Sequence, residues 1–135
     1  KTPKKIYLVD NGLIAAVSFQ FLKNTGKLME NLVFIELVRR GKRINEDIFY
    51  YKTKTNREID FLVRGGLRVK SLIQVCYQMD NHDTRNREIK ALCEAGSELS
   101  CRDLLIITWD YEAAELVEDK KIQCMPLWKW LTLSN

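Results

Sequence analysis

Several features that would classify the chain quickly are missing from its 135 residues. No apolar run approaches the roughly 20 residues that a membrane-spanning helix needs, and we expect no secretory signal in the opening residues. No GxxxxGK(S/T) motif occurs, so we expect no ATP site of the P-loop type in this chain. These absences favour a cytoplasmic protein without a membrane span.

Metal-binding spacings of cysteine and histidine are also missing. The four cysteines (76, 93, 101 and 124) form no CxxC pair, and none is close to the single histidine, His82. We therefore expect buried, reduced thiols rather than disulfides or a zinc site. His82 lies beside a predicted helix start, where a surface role is expected rather than catalysis.

Acidic residues are scarce in the first half of the chain. Residues 1–70 hold fifteen Lys or Arg against seven Asp or Glu, residues 71–135 hold seven against eleven, and the net charge is +4. A basic half suits a polyanion such as DNA on one side of the domain, although ordinary solvated Lys and Arg explain it about as well. The candidate nucleic-acid contacts are Arg39, Arg40, Lys42, Arg43, Lys52, Lys54 and Arg57.

The hydrophobic pattern predicts one α/β domain across residues 1–135. Hydrophobic residues make up 46% of the chain, which suits a single core. Because the chain begins at Lys1, almost inside an apolar run, we expect it to be part of a longer protein. The predicted elements are a strand at Ile6–Val9, helices at Leu13–Leu22 and Gly26–Arg40, strands at Ile48–Lys52, Arg57–Arg64 and Leu67–Tyr77, a helix at Asp83–Ala95, strands at Leu104–Thr108 and Ile122–Met125, and a closing helix at Leu127–Leu133.

Glycines and the order of elements predict the topology. Gly65-Gly66 marks a hairpin, while Gly41 and Gly96 mark helix ends. Asp80 or Asn81 is available as a helix cap. A helix between the hairpin and the next strand makes a crossover, so that strand should lie parallel to one hairpin strand. A small mixed sheet flanked by helices follows.

Glu30 is hard to explain as a surface charge. It shares its helical face with Phe34 and Leu37, which should pack inward. Burying a carboxylate there is costly unless it is paired, hydrogen-bonded or bound to a metal, and pairing explains Glu30 about as well as a metal does. Glu36 precedes two arginines, so a solvated ion pair explains it.

Asp60 interrupts a predicted strand, where aspartate is depleted. Judged alone, a solvent-facing Asp60 is slightly favoured. The combination of a helix carboxylate, a strand aspartate just before a Gly-Gly hairpin and a polar pair in the return strand favours a metal site more, because divalent metals such as Mg²⁺ need hard oxygen ligands that converge from separate elements.

Together these residues resemble the PD-(D/E)XK nuclease superfamily, which includes archaeal Holliday-junction resolvases. The glycine, glutamate, leucine and glycine pattern of its first helix is matched by Gly26, Glu30, Leu37 and Gly41, the hairpin aspartate by Asp60, and the (D/E)XK step by Gln74-Val75-Cys76. The resemblance implies a restriction-endonuclease-like core. It also implies a site in which carboxylates hold Mg²⁺ or Mn²⁺ and a lysine helps to orient the attacking water.

Nearly the whole chain also resembles a domain of unknown function that follows the motor domain in many prokaryotic AAA-type ATPases. The stretches that carry this resemblance are KIYLVD (5–10), ENLVF (30–34), REIDF (57–61), REIKAL (87–92) and PLWKWL (126–131). The resemblance implies a covalently linked ATPase domain upstream.

Two departures from the nuclease pattern weaken the expected chemistry. The candidate metal ligands are Glu30, Asp60 and Gln74, and the amide of Gln74 lacks the charge of the usual carboxylate. Cys76 stands at the lysine position and offers no fixed positive charge. A compensating lysine is available at Lys70 or Lys90. We therefore expect weak binding of Mg²⁺ or Mn²⁺.

Hairpin register decides whether Asp60 and Gln74 share a face of the sheet. A two-residue Gly65-Gly66 loop pairs Asp60 with Ser71 and puts Gln74 on the opposite face. A three-residue loop with a bulge pairs Asp60 with Leu72 and puts Gln74 and Cys76 on the face of Asp60.

Three functions remain open from the sequence. The first is a nuclease-derived, DNA-binding module of an ATPase with weak or lost cleavage. The second is an active Mg²⁺-dependent endonuclease with a displaced lysine. The third is a protein-interaction domain that uses Trp109, Trp128 and Trp130, although core packing explains these tryptophans more simply.

Overall fold

The computed structural model describes residues 25–133. The strand predicted at Ile6–Val9 and the helix predicted at Leu13–Leu22 lie outside the described residues. Within them, no helix is long and apolar enough to cross a membrane. The elements are α1 (Thr25–Arg39), β1 (Ile48–Lys52), β2 (Glu58–Gly65), β3 (Arg68–Cys76), α2 (His82–Leu99), β4 (Leu104–Thr108), β5 (Ala113–Val117), β6 (Lys120–Pro126) and α3 (Leu127–Thr132).

The strands form one mixed sheet in the order β1-β2-β3-β4-β6-β5. The first three strands are antiparallel neighbours, β4 lies parallel to β3, β6 lies parallel to β4, and β5 is antiparallel to β6. This confirms the α/β class and the crossover that places β4 parallel to a hairpin strand. The sequence pattern did not predict β5, because two alanines and Glu115 in Ala113–Val117 are residues depleted in strands.

Helices cover both faces of the sheet. Leu72 and Ile106 pack against α2 on one face, and Ile73 and Ile107 pack against α1 and α3 on the other. Adjacent residues alternate between the faces because side chains in a strand have a period of two. Burial of each such side chain contributes about 1.5–3 kcal/mol to folding. All four cysteines of the chain are free and buried in the cluster beneath α2.

Two predicted helix-end residues act as expected. Gly41 follows α1 with a φ of 92°, the left-handed conformation that favours glycine. Asn81 caps α2, where its side-chain oxygen accepts a hydrogen bond from the Thr84 backbone N–H.

Gly96 does not stop α2, contrary to the prediction. The helix continues to Leu99 and ends at Ser100, which has a φ of 52°. A Cβ on Gly96 would lie 3.0 Å from the Cys101 carbonyl oxygen and 3.3 Å from Leu104 Cδ2. The glycine therefore permits a close approach of the following loop and β4 rather than a turn.

Arg40 joins α1 to α3. Its Nε donates to Glu36 Oε2 at 2.7 Å, its Nη2 donates to the Trp130 carbonyl oxygen at 2.7 Å, and its guanidinium lies 4.3 Å from the centre of the Trp130 ring. Arg39 also donates to both carboxylate oxygens of Glu36, at 2.8 and 2.6 Å. The predicted pairing of Glu36 is confirmed, but Glu36 is only 7% exposed, so the pair is not solvated as expected.

These hydrogen bonds control the protonation of Glu36. The bond from Arg39 is the largest cause, and with Arg40 it outweighs the opposing effect of burial and lowers the pKa of Glu36 to about 2. The buried carboxylate therefore stays charged at all ordinary pH values.

Glu36→Gln should destabilise the protein by about 1.5–3 kcal/mol at pH 7, since it removes hydrogen bonds between charged groups from a buried site. Folding lowers the pKa of Glu36 from 4.5 to about 2. The stability that this carboxylate contributes is therefore fully present above pH 4.5 and is lost as the pH falls toward 2. Urea unfolding at pH 7 and at pH 3 measures both effects.

Glu46→Gln is the matched control, because Glu46 pairs with Arg43 through two exposed side chains. It should cost less than about 0.5 kcal/mol. Equal losses in the two variants would contradict a structural role for the Glu36 network.

Candidate functional site

A cavity of about 760 Å³ opens at the end of the sheet where β2 begins and β3 ends. Among the described residues, α1, the β1–β2 loop, β2, β3 and α2 all contribute to its walls. The charged residues that line it are Lys27, Glu30, Arg57, Glu58, Asp60, Arg87 and Glu88. The cavity therefore combines carboxylates and cations drawn from both faces of the sheet.

The backbone pairing between β2 and β3 ends at this cavity. Their backbone pairing runs from Gly65↔Arg68 to Phe61↔Ile73. Beyond it, side chains connect the strands: the Asp60 backbone N–H donates to Gln74 Oε1 at 2.8 Å, Gln74 Nε2 donates to the Glu58 carbonyl oxygen at 2.8 Å, and the Val75 N–H donates to Asp60 Oδ2 at 2.9 Å. The residues on either side of this break in the pairing (Glu58, Asp60 and Val75) line the cavity.

Neither predicted register is observed. Ser71 pairs with Val63 and Leu72 pairs with Leu62, so Asp60 is opposite neither of them. A bulge is present between Val63 and Arg64, as the second alternative required.

A second bulge at Asp60 breaks the alternation of β2. Phe49 pairs with Leu62 while Tyr51 pairs with Ile59, so β2 has one residue more than β1 in this interval. As a result, Ile59 packs in the cluster beneath α2, whereas Phe61 packs in the cluster beneath α1. The alternation of side chains along β2 therefore does not determine on which face of the sheet Asp60 lies, since bulges re-aim side chains.

Glu30 lies in the same cavity as Asp60. It is 9% exposed, which agrees with the prediction that its helical face packs inward, and its Oε2 lies 4.0 Å from Lys27 Nζ. The fold thus brings the helix carboxylate and the strand carboxylate to one place.

Gln74 and Cys76 do not line the cavity. Gln74 is 1% exposed, and both ends of its amide are bonded to the backbone of β2. Cys76 is 4% exposed, and burial, reinforced by the charge of Glu88, raises the pKa of its thiol to about 11. The thiol is therefore neutral at pH 7 and does not replace a lysine.

The lysines considered as replacements also lie elsewhere. Neither Lys70 nor Lys90 lines the cavity. The side chain of Lys70 runs across Gly65, at the hairpin end of the sheet. The cations that the structure places in the cavity are instead Lys27, Arg57 and Arg87.

Tyr50 on β1 does not line the cavity, but it interacts with carboxylates that do, and the sequence analysis missed this contact. Burial, a hydrogen bond to Glu58 and the charges of Glu58, Asp60 and Glu30 all raise the pKa of the Tyr50 phenol. The phenol is therefore protonated and close to the three carboxylates. The apolar run of β1 gave no signal for this role.

The predicted nucleic-acid contacts divide between two ends of the sheet. Arg57 lines the cavity, with its Nε 3.4 Å from Glu94 Oε1, and Lys52 pairs with Glu58, which also lines it. Lys54 lies in the β1–β2 loop, where its backbone N–H donates to Glu98 Oε2 at 2.9 Å. The other four (Arg39, Arg40, Lys42 and Arg43) follow or end α1, near the hairpin. Three of those four form ion pairs with Glu36, Glu46 or Asp47.

Between Thr25 and Leu133, no group of three or more His, Cys, Asp and Glu side chains is arranged to hold a metal ion. Of the three predicted ligands, Glu30 and Asp60 share the cavity, while the Gln74 amide is engaged with β2. Two of the three predicted ligands are thus carboxylates that line the cavity, and the third is an amide that does not line it.

Gln74→Met should destabilise the protein by about 2–4 kcal/mol, because it leaves the Asp60 N–H and the Glu58 carbonyl without their partner at similar side-chain volume. Chemical unfolding at pH 7 measures the loss. Gln123→Met is the control, since Gln123 makes only long hydrogen bonds of 3.3 and 3.4 Å, and it should cost less than about 1 kcal/mol. Similar losses would show that the Gln74 bridge is unimportant.

Comparison with known proteins places the chain in a family. An uncharacterized protein of Methanocaldococcus jannaschii is 45% identical over 132 residues, which cover 93% of this chain and 29% of that protein. An uncharacterized protein of Haemophilus influenzae is 35% identical over 88 residues, covering 64% of this chain and 20% of that protein. The chain therefore spans less than a third of the length of these relatives.

A chain of a Thermococcus gammatolerans assembly of McrB AAA+ hexamers with bound McrC overlaps 75% of this chain and 27% of its own length, at a TM-score of 0.46 and 14% identity. The sequence profile of the family described as Domain of unknown function (DUF4143) matches residues 25–130. The chain belongs to the DUF4143 family.

Proposed function

We propose that this chain is a nuclease-derived, DNA-binding module of an AAA-type ATPase, in which cleavage is weak or lost. The link to an ATPase rests on the resemblance carried by the five stretches of the sequence quoted above. The link also agrees with the greater length of the relatives, since this chain covers only 29% and 20% of them. A restriction-endonuclease-like core is part of the proposal, and the order helix, three strands, helix, strand supports it.

One observation carries the proposal. Glu30 from α1 and Asp60 from β2 line the same cavity, as a nuclease-type site requires. The positions of the second motif carboxylate and of the lysine hold Gln74 and Cys76, which are buried and turned to structural contacts. The site therefore has the carboxylates of Glu30 and Asp60, but it lacks the second motif carboxylate and the lysine.

A divalent cation fits this site only in part. Glu30 and Asp60 would hold it, and a hard cation such as Mg²⁺ or Mn²⁺ commonly binds through one or two carboxylates together with water and phosphate. When bound, the cation would offset the repulsion between these carboxylates and a DNA phosphate. With Gln74 engaged elsewhere, we derive no cleavage step.

The cations in the cavity would contact phosphates. Lys27, Arg57 and Arg87 line it, and Lys52 lies next to Glu58 across β1 and β2. Neutralising phosphates releases counterions, so affinity should fall steeply with salt.

An active endonuclease is the second candidate, and Lys27 is the observation that favours it. Lys27 lines the cavity beside Glu30, so it offers an ammonium group that the motif position lacks. A protein-interaction domain is the third candidate. Trp109 and Trp128 are 51% and 64% exposed and could contact a partner protein, whereas Trp130 is buried in the core.

The full chain should bind a labelled 20-base-pair duplex or a four-way junction in fluorescence anisotropy. Its affinity should fall roughly 100-fold between 50 and 200 mM salt if about four phosphates are neutralised. Mn²⁺ should strengthen binding, and no cut product should appear.

Asp60→Asn should abolish the effect of Mn²⁺, since it removes a charge but keeps an oxygen for the Val75 N–H. Asp110→Asn, an exposed position after β4, should leave it unchanged. Mn²⁺-dependent cutting that Asp60→Asn abolishes would instead establish the endonuclease. If the chain binds no DNA, a protein-interaction domain is the function that remains.

A further inference from the structure

The β2–β3 hairpin projects beyond the rest of the sheet. The pairing of β1 with β2 reaches only Ile48↔Val63, and the pairing of β3 with β4 begins at Leu72↔Leu104. Among the described residues, 64–71 therefore form a two-stranded ribbon without a paired strand on either side, and at its base the Arg64 backbone N–H donates to the Asp47 carbonyl oxygen at 2.6 Å. The ribbon lies at the opposite end of β2 from the Asp60 cavity, roughly 20 Å away at 3.4 Å per residue.

The ribbon carries only positive charge. Arg64, Arg68 and Lys70 lie within it, and the sequence has no acidic residue between Asp60 and Asp80. Among residues 25–133, no ion pair involves Arg68 or Lys70. These two cations contrast with the arginines at the end of α1, which carboxylates neutralise.

The tip has a defined shape. Arg64 donates to the Gly66 carbonyl oxygen from Nε at 3.3 Å and from Nη2 at 3.1 Å, which holds the turn. Gly66 has a φ of 63°, and Leu67 beside it is 99% exposed. An apolar side chain is thus presented at the end of a basic ribbon.

Lys70 is the extra residue of the bulge in β3. Arg64 pairs with Val69 and Val63 pairs with Ser71, which leaves Lys70 outside the pairing. Bulges re-aim side chains, and the stem of Lys70 lies across Gly65.

From this arrangement we infer that the ribbon of residues 64–71 enters a groove of duplex DNA, with Arg68 and Lys70 on phosphates and Leu67 against the groove floor. The inference rests on the proposed DNA-binding function and adds a second contact away from the cavity. A two-stranded ribbon fits the major groove, which is about 12 Å wide. Charge complementarity identifies the partner, because Arg68 and Lys70 form no ion pair with any carboxylate of residues 25–133.

An anionic membrane is the less favoured partner. Membrane insertion draws on a large buried apolar area together with basic residues. The ribbon offers Leu67 as its single large exposed apolar side chain. Vesicles of phosphatidylserine serve as the comparison in the test below.

The test measures binding of the full chain to an unrelated 20-base-pair duplex over a series of salt concentrations. Arg68→Gln combined with Lys70→Gln should weaken binding at least ~10-fold near 0.1 M salt and lower the slope of log K against log salt by about 2. Lys90→Gln combined with Lys121→Gln removes the same charge from exposed positions outside the ribbon and should change affinity less than about 2-fold. Leu67→Ser should weaken binding without changing the slope.

Each outcome decides a separate question. If the wild type binds DNA and both double variants behave alike, the ribbon inference is overturned while the proposed function stands. If the wild type binds no duplex, or binds only the vesicles, the proposed function fails and the inference fails with it. Circular dichroism and thermal unfolding of the variants should match the wild type, since all substituted side chains are exposed.

Discussion

The separation of β2 from β3 at Asp60 is the constraint on which the candidate site depends. Where the backbone ladder ends, two side chains replace it: Gln74 bonds to the backbone of β2, and Asp60 bonds to the backbone of β3. Because these bonds satisfy backbone groups that would otherwise lack partners, the strands can diverge without a large energetic cost. The resulting gap makes room for the cavity that Glu30 also lines.

Under the proposed nuclease-derived origin, the same arrangement would explain how the motif can be altered while the fold persists. An amide at position 74 both accepts from the Asp60 N–H and donates to the Glu58 carbonyl oxygen. An ionised carboxylate there would accept but not donate, and it would face the Glu58 carbonyl oxygen. Gln74 thus favours a stable strand junction over a third charged ligand. Cys76 likewise adds an uncharged group to the core cluster beneath α2.

Much of the fold follows from patterns that act locally. The apolar run between Gly26 and Gly41 predicted α1 to within a residue at each end, and Gly41 has the left-handed conformation expected of it. The apolar face of that helix also predicted that Glu30 is buried. The role of Gly96 and the burial of the Glu36 ion pair were predicted wrongly because the contacts with Cys101 and with Arg40 above Trp130 depend on tertiary packing.

The site itself was less predictable for the same reason. Two bulges, one at Lys70 and one at Asp60, set the register, and neither has a local sequence signature. The hydrogen bonds of Gln74 follow from that register, and so does the position of Tyr50 among the carboxylates. The resemblance therefore pointed to a helix carboxylate and a strand carboxylate that line one cavity, Glu30 and Asp60, but it did not predict the structural role of Gln74.

The proposed function requires that Glu30 and Asp60 form one cation-binding site in a cavity that Gln74 does not line. Addition of substoichiometric Mn²⁺ to the ¹⁵N-labelled chain tests it most directly, since the paramagnetic ion broadens the amide signals nearest to it. The account predicts that the signals of Glu30, Asp60 and Val75 broaden first, and that Glu30→Gln combined with Asp60→Asn removes the effect. Broadening that is uniform, or that centres on the exposed Glu118-Asp119 turn and persists in the double variant, would contradict it.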